Sequence, residues 1–215
     1  MSDLDQAVGE ALDLITRKTL EDDARLGTDF PYVTDARGAW KTMPASLSAG
    51  YAPEGWSHGN WFCGFWVGLL LVGHLHTGDA AMLDKAMARL RLVAPRAADP
   101  NTHDIGFIFE SSALPAHRIT GEAWTREAGL EAAASLRRRL VRTERGAYLA
   151  AWGPLSDPRG RASSAIDTMS NLPLLYWAAG QAGDASFLVA AEAHAKATEA
   201  SFIRPDFSTC HAVEY

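Results

Sequence analysis

Cysteine is scarce: two in 215 residues, Cys63 and Cys210, cannot build a disulfide scaffold. Both fall in segments that read as buried, which predicts reduced thiols and a reducing, cytoplasmic setting. Cationic clusters are also scarce. Twenty Lys and Arg stand against 26 Asp and Glu, a formal net charge of −6. A nucleic-acid groove or an anionic membrane surface needs clustered Lys and Arg, so neither partner is expected. Long apolar runs are missing: the longest, Trp61 to Leu75, contains three glycines and is too short to span a bilayer. The opening residues Met1-Ser2-Asp3-Leu4-Asp5 lack the basic and apolar regions of a signal peptide. HExxH and CxxC are absent, and so are GxSxG and the Walker or dinucleotide glycine patterns, so no metal and no cofactor is expected. What remains is 47% apolar and 21% charged, the composition of a chain that buries a core.

A short pattern repeats. Thr77-Gly78-Asp79, Thr120-Gly121-Glu122 and Ala182-Gly183-Asp184 place glycines 43 and 62 residues apart. An apolar segment precedes each: Phe62–Leu75, Ile105–Ile119 and Leu172–Ala179. Amphipathic segments follow. After Gly121 the apolar positions are Trp124, Ala128, Ala132, Leu136 and Leu140; after Gly78 they are Leu83, Met87, Leu90 and Ala94. Glycine suits the left-handed residue that ends a helix, and an acid suits the start of the next. The unit is therefore a buried helix, a Gly turn and a striped helix with one wet face. Residues 4–20 add a helix before the first pair. About seven helices are predicted, and sustained strand alternation is confined to Phe207–Tyr215. The fold class is all-α: an α/α-hairpin toroid with inner apolar and outer amphipathic helices. Sheet is expected only as a short hairpin near a rim loop.

Four irregular stretches, Thr28–Ser57, Pro95–His103, Arg142–Ala165 and Ile203–Tyr215, lead from outer to inner positions. All enter an inner helix from the same end, so they share one rim, and several exceed ordinary connection length. Chemistry-bearing residues fall at these entries: His58, Asn60 and Trp61; His103 and Asp104; Asp167; and His211 near the end. Trp152 lies in the third stretch. Two carboxylates, several imidazoles and indole faces suit acid/base work on a sugar. Plainer readings exist for each. An N-cap explains Asp104 or Asp167, packing explains a single His58 or His103, and Trp56, Trp61, Trp66, Trp152 and Trp177 are indoles of a kind common in cores. Arg137-Arg138-Arg139 reads as the solvated face of an outer helix.

The segments WFCGFWVG (Trp61–Gly68), HDIGF (His103–Phe107), IDTMSNLPLLYWA (Ile166–Ala178) and FIRPDFSTCHAVEY (Phe202–Tyr215) resemble the unsaturated glucuronyl hydrolases, glycoside hydrolase family 88. The resemblance runs from about Phe30 to Tyr215. It implies an (α/α)6 barrel and removal of a 4,5-unsaturated uronic acid from oligosaccharides cut by a lyase. It implies Asp167 as general acid/base and Asp104 as second carboxylate. His103 and His211 then meet the substrate, Trp61 stands at the pocket mouth, and His58, Asn60 and Trp152 join the binding set. The partner implied is the unsaturated oligosaccharide. The family's chain continues beyond the H-x-V-E-Y motif, so residues 1–215 read as one toroid catalytic domain cut short at its C-terminus. An open ring edge predicts self-association. An unsaturated rhamnogalacturonyl hydrolase, or a non-catalytic remnant that binds sugar or a partner, are the alternative readings.

Overall fold

The computed structural model describes residues 2–49, 51–52, 55–144 and 146–215, with the backbone only at 51–52 and 55–56. The side chain of Trp56 thus lies outside the described residues. In chain order, α1 is Asp3–Asp23, followed by the pairs β1 (Phe30–Thr34) with β2 (Trp40–Met43) and β3 (Tyr51–Ala52) with β4 (Gly55–Trp56). Then come α2 (Cys63–Thr77), α3 (Ala80–Val93), α4 (Ile105–Glu110), α5 (Ala113–Thr120) and α6 (Ala123–Arg138). The pair β5 (Leu140–Thr143) with β6 (Gly146–Leu149) precedes α7 (Pro158–Ala162) and β7 (Ser163–Ala165). A 3-10 helix, Ile166–Asn171, leads into α8 (Leu172–Ala182), then α9 (Ser186–Phe202) and β8 (Ala212–Glu214), which pairs antiparallel with β7.

Inner helices α2, α4–α5 and α8 lie side by side, backed by α3, α6 and α9, with α1 against α2. This is the α/α-hairpin toroid arrangement. The repeated glycines do what their spacing implies: Gly78, Gly121 and Gly183 end α2, α5 and α8 at φ of 74°, 70° and 65°. In the first two repeats the threonine before the glycine works twice. Thr77 and Thr120 donate back to the carbonyls of Gly73 and Ala116, and accept from the N–H groups of Asp79 and Glu122. Asp79 then caps α3 by accepting from Ala81 N at 2.9 Å.

Inner helices touch where side chains vanish. A Cβ on Gly64 would fall onto the backbone of Ile108, and one on Gly106 onto Asn171. The core around these contacts is apolar and closed, with Leu70, Leu71, Met82, Leu90, Ile105, Ile108, Phe109 and Leu136 almost without exposure. Asp23, at the end of α1, is buried with them. It accepts from Trp66 Nε1 at 3.0 Å and pairs with Lys85 and Arg89, tying three helices together.

Two expectations change. The second inner helix is broken between α4 and α5. Pro115 cannot donate to the Ser111 carbonyl four residues back, and the hydroxyls of Ser111 and Ser112 take the carbonyls of Phe107 and Ile108. Strand is also more frequent than one hairpin: the described residues hold four two-stranded pairs, all within the connections between helices or at the chain's end. Long rim connections need backbone partners, and short ladders supply them.

Candidate active site

Asp104 sits at the N-cap position of α4, but its carboxylate does not cap the helix. Instead Oδ2 accepts from the Thr102 hydroxyl at 2.8 Å, and Oδ1 lies 3.3 Å from His103 Nε2. Asp167 lies in the first turn of the 3-10 helix, and its Oδ1 is 3.1 Å from the same His103 Nε2. The ligating atoms of His103, Asp104 and Asp167 all fall within 4.8 Å of one another. His103 Nδ1 faces the Ala151 carbonyl at 2.6 Å, so that nitrogen carries a proton and Nε2 is turned toward the carboxylates.

The electrostatics follow from this geometry. Burial alone would lower the pKa of the enclosed His103 ring. The charge of Asp104, the bond and charge of Asp167, and the Ala151 carbonyl overturn that and raise it. Asp167 shows the reverse. Burial pushes its pKa up, but the His103 bond, the His103 charge and the His211 charge hold it below the usual carboxylate range. His103 thus stands between two carboxylates: its Nε2 hydrogen-bonds to Asp167, and Asp104 adds its charge from 3.3 Å. Among the described residues these three side chains also have the spacing of a metal-holding group, and the Nε2–H donated to Asp167 fills that space with a proton instead.

The two carboxylates differ in access. The side chain of Asp104 is 8% exposed and that of Asp167 is 44% exposed. Asp167 opens to the rim, and Asp104 works from behind. Trp152 stands beside them, its ring 6.0 Å from His103 and 6.1 Å from His58. Burial lowers the pKa of His58, reinforced by the charge of His103 and opposed by those of Asp104 and Asp167. His211 reaches the site through the β7–β8 pair: Ile166 N donates to its carbonyl at 3.0 Å, beside Asp167. Trp61 stacks on Phe62 at 3.7 Å and contacts Phe107, three residues beyond Asp104.

Two expectations need correction. Asn60 is fully buried; its Nδ2 donates to the Met43 carbonyl and its Oδ1 accepts from Phe62 N. An amide so engaged shapes the loop and does not line the mouth. Arg139 is no solvated face residue. It is 1% exposed, and its guanidinium donates to the carbonyls of Pro100, Ala150 and Gly153. It therefore ties the loop before His103 to the loop holding Trp152. Arg96, equally buried, does the same for the carbonyls of His58 and Asn60. A separate groove of about 990 Å³, lined by Tyr148, Val189, Ala197, Val213 and Tyr215, lies apart from this cluster.

A row of α/α-hairpins with two carboxylates and an indole gathered around one histidine defines an α/α-toroid protein. No family model matches the chain. It is 33% identical over 209 residues to the unsaturated glucuronyl hydrolase of Bacillus sp. (strain GL1), a match covering 96% of this chain and 50% of that protein. It is 27% identical over 212 residues to the unsaturated chondroitin disaccharide hydrolase of Streptococcus pyogenes serotype M1, covering 95% and 48%. The solved unsaturated glucuronyl hydrolase of Bacillus sp. GL1 superposes with a TM-score of 0.79 at 31% identity, over 98% of this chain and 52% of that one. In sequence and fold the chain is a relative of the unsaturated glucuronyl hydrolases. It spans about half the length of the curated relatives it matches.

Proposed function

We propose that the chain carries the acid/base centre of a glycoside hydrolase that removes a 4,5-unsaturated uronic acid from the non-reducing end of lyase-generated oligosaccharides. The observation that carries this reading is His103 bridging Asp104 and Asp167 at a rim furnished with indoles. The relatives named above are hydrolases of unsaturated glucuronyl or chondroitin units, and one is described as responsible for glycosaminoglycan degradation.

Asp167 is the proton donor because it is the carboxylate with access to a bound ring. In the open site it is ionised. A sugar seated against it removes water, and burial already acts to raise its pKa. The proton at His103 Nε2 is within hydrogen-bond reach. Protonated Asp167 delivers that proton to C4 of the vinyl ether, and positive charge develops at C5, shared with the ring oxygen. Water bonds to C5 and returns a proton to the Asp167 carboxylate. The hemiketal then opens and the glycosidic bond parts without attack at C1. Asp104 keeps His103 in register, and its charge draws the proton won from water back from Asp167 to Nε2 for the next cycle, while Trp61, Trp152, His58 and His211 supply walls for the ring. Two free cysteines, one of them the buried Cys63 with its pKa pushed up to about 11, support a reducing, cytoplasmic setting.

The test is the loss of conjugated-uronate absorbance on an unsaturated disaccharide, run beside thermal melts. Asp167→Asn is expected to keep the melting temperature within a few degrees and to lose roughly 100-fold or more in rate. A chain that leaves the absorbance unchanged, or an Asp167→Asn variant as fast as its parent, refutes the proposal.

A further inference from the structure

We infer that Asn171 is a positioning residue that sets the separation of the two carboxylates, by clamping the backbone that carries Asp104 to the backbone that carries Asp167. This rests on the reading of the His103 cluster as an acid/base site. Asn171 is fully buried. Its Oδ1 accepts from Phe107 N at 2.8 Å, and its Nδ2 donates to the Asp167 carbonyl at 3.2 Å. One amide therefore bonds to both halves of a pair that lies 63 residues apart in the chain.

The first of those bonds explains an oddity of Asp104. An aspartate at an N-cap ordinarily spends its carboxylate on the free N–H groups of the first turn. Phe107 N is such a group on α4, and Asn171 takes it from across the interface. Asp104 is left with its carboxylate free to face Thr102 and His103. Asn171 thus performs the cap in place of Asp104 and releases it for the site. The fit is tight from the opposite side too. A Cβ on residue 106 would overlap Asn171 Oδ1, Cβ and Cα, so glycine at 106 lets the amide come this close.

An ordinary buried amide would stabilise the fold and nothing more. A clamp that fixes the carboxylates around His103 also controls how strongly they hold its proton. The two are separated by a readout that does not need turnover: the imidazole titration of His103 followed by NMR in the intact chain, assigned with His103→Gln. Asn171→Ala and Asn171→Ser are compared with Leu90→Ala, a core truncation in α3 remote from the site. In the Asn171 variants the carboxylates relax away from Nε2. The His103 midpoint is expected to fall by about half a unit or more toward 6.5. On an unsaturated disaccharide kcat is expected to drop roughly 10-fold or more with KM held within about threefold, because the ring still binds but the proton is misplaced. Asn171→Ser keeps a cap acceptor and is expected to fall between Ala and the parent, and it carries the same readouts should Asn171→Ala fail to fold. A folded Asn171 variant with parental His103 titration overturns the inference, as does an equal shift in Leu90→Ala. If the parent shows no turnover, the function proposal fails, and the NMR comparison still decides the clamp.

Discussion

Two titratable groups with opposite pH preferences, one buried and one half-buried, partly offset each other in mild acid, and single substitutions are expected to unmask them. His194 on α9 is fully buried; Nδ1 accepts from Leu149 N at 3.0 Å, so the ring is bound as the neutral form. Burial, helped by the charge of His103, lowers its pKa from 6.5 to about 4. The unfolded chain therefore binds more protons between those values, and stability is lost as pH falls below 6.5. At pH 5 the loss is about 2 kcal/mol relative to neutral pH. Glu110, at the end of α4, accepts from Leu174 N at 2.8 Å, and burial raises its pKa from 4.5 to about 7. Here the folded chain holds the extra proton, so stability is lost as pH rises from 4.5 through about 7. Between pH 7 and 5 this group contributes a gain of about 1 kcal/mol after solvent screening of a side chain that is only partly buried. Urea unfolding by circular dichroism at pH 7 and pH 5 checks both. His194→Asn keeps an acceptor for Leu149 N and should gain about 2 kcal/mol on its parent between pH 7 and 5, whatever its cost at pH 7. Glu110→Gln should lose about 1 kcal/mol on its parent over the same interval. A His194→Asn variant that tracks the parent within about 0.5 kcal/mol at both pH values refutes the buried neutral histidine.

Gly64→Ala is expected to cost about 2 kcal/mol or more, because its Cβ would meet the Ile108 backbone, which cannot step aside. Gly180→Ala in α8 has open space and should gain about 0.5–1 kcal/mol; thermal melts of the two read the contrast. Arg139→Met strands the carbonyls of Pro100, Ala150 and Gly153, with an expected loss of about 2–4 kcal/mol in urea unfolding; a loss under about 0.5 kcal/mol would return Arg139 to the solvated face. Inner helices expose Phe65, Val72, Leu75 and Tyr176 at 40% or more. Apolar side chains exposed in this number on inner helices favour association, so light scattering of the chain at high concentration should show oligomers, and a monodisperse monomer contradicts that.

How much of this was legible depends on what kind of partner each residue has. The hairpin repeat could be read because Gly78, Gly121 and Gly183 leave a mark that other residues cannot leave: φ near 70° with an acid after it. His103 and Asp104 could be placed on the rim because adjacent residues at a helix entry share a location. The break between α4 and α5 was also written in the chain, at Pro115, but an apolar run from Ile105 to Ile119 outweighs one proline when periodicity is the guide. Side-chain direction was not legible. Asn60 and Trp61 are neighbours, yet one is fully buried among backbone groups and the other is only partly buried. The scaffold of the site was the least visible part, for a common reason. Arg139 binds three carbonyls, His103 Nδ1 binds the Ala151 carbonyl, and Asn171 binds one N–H and one C=O. Every one of those partners is main chain, and main-chain groups are the same in every residue. A sequence can advertise two carboxylates and an imidazole; it carries no letter for the carbonyl that orients the ring. That is why Arg139 reads as the third of three surface arginines, and why Asn171 reads as one more letter of a motif although it touches both sides of the pair.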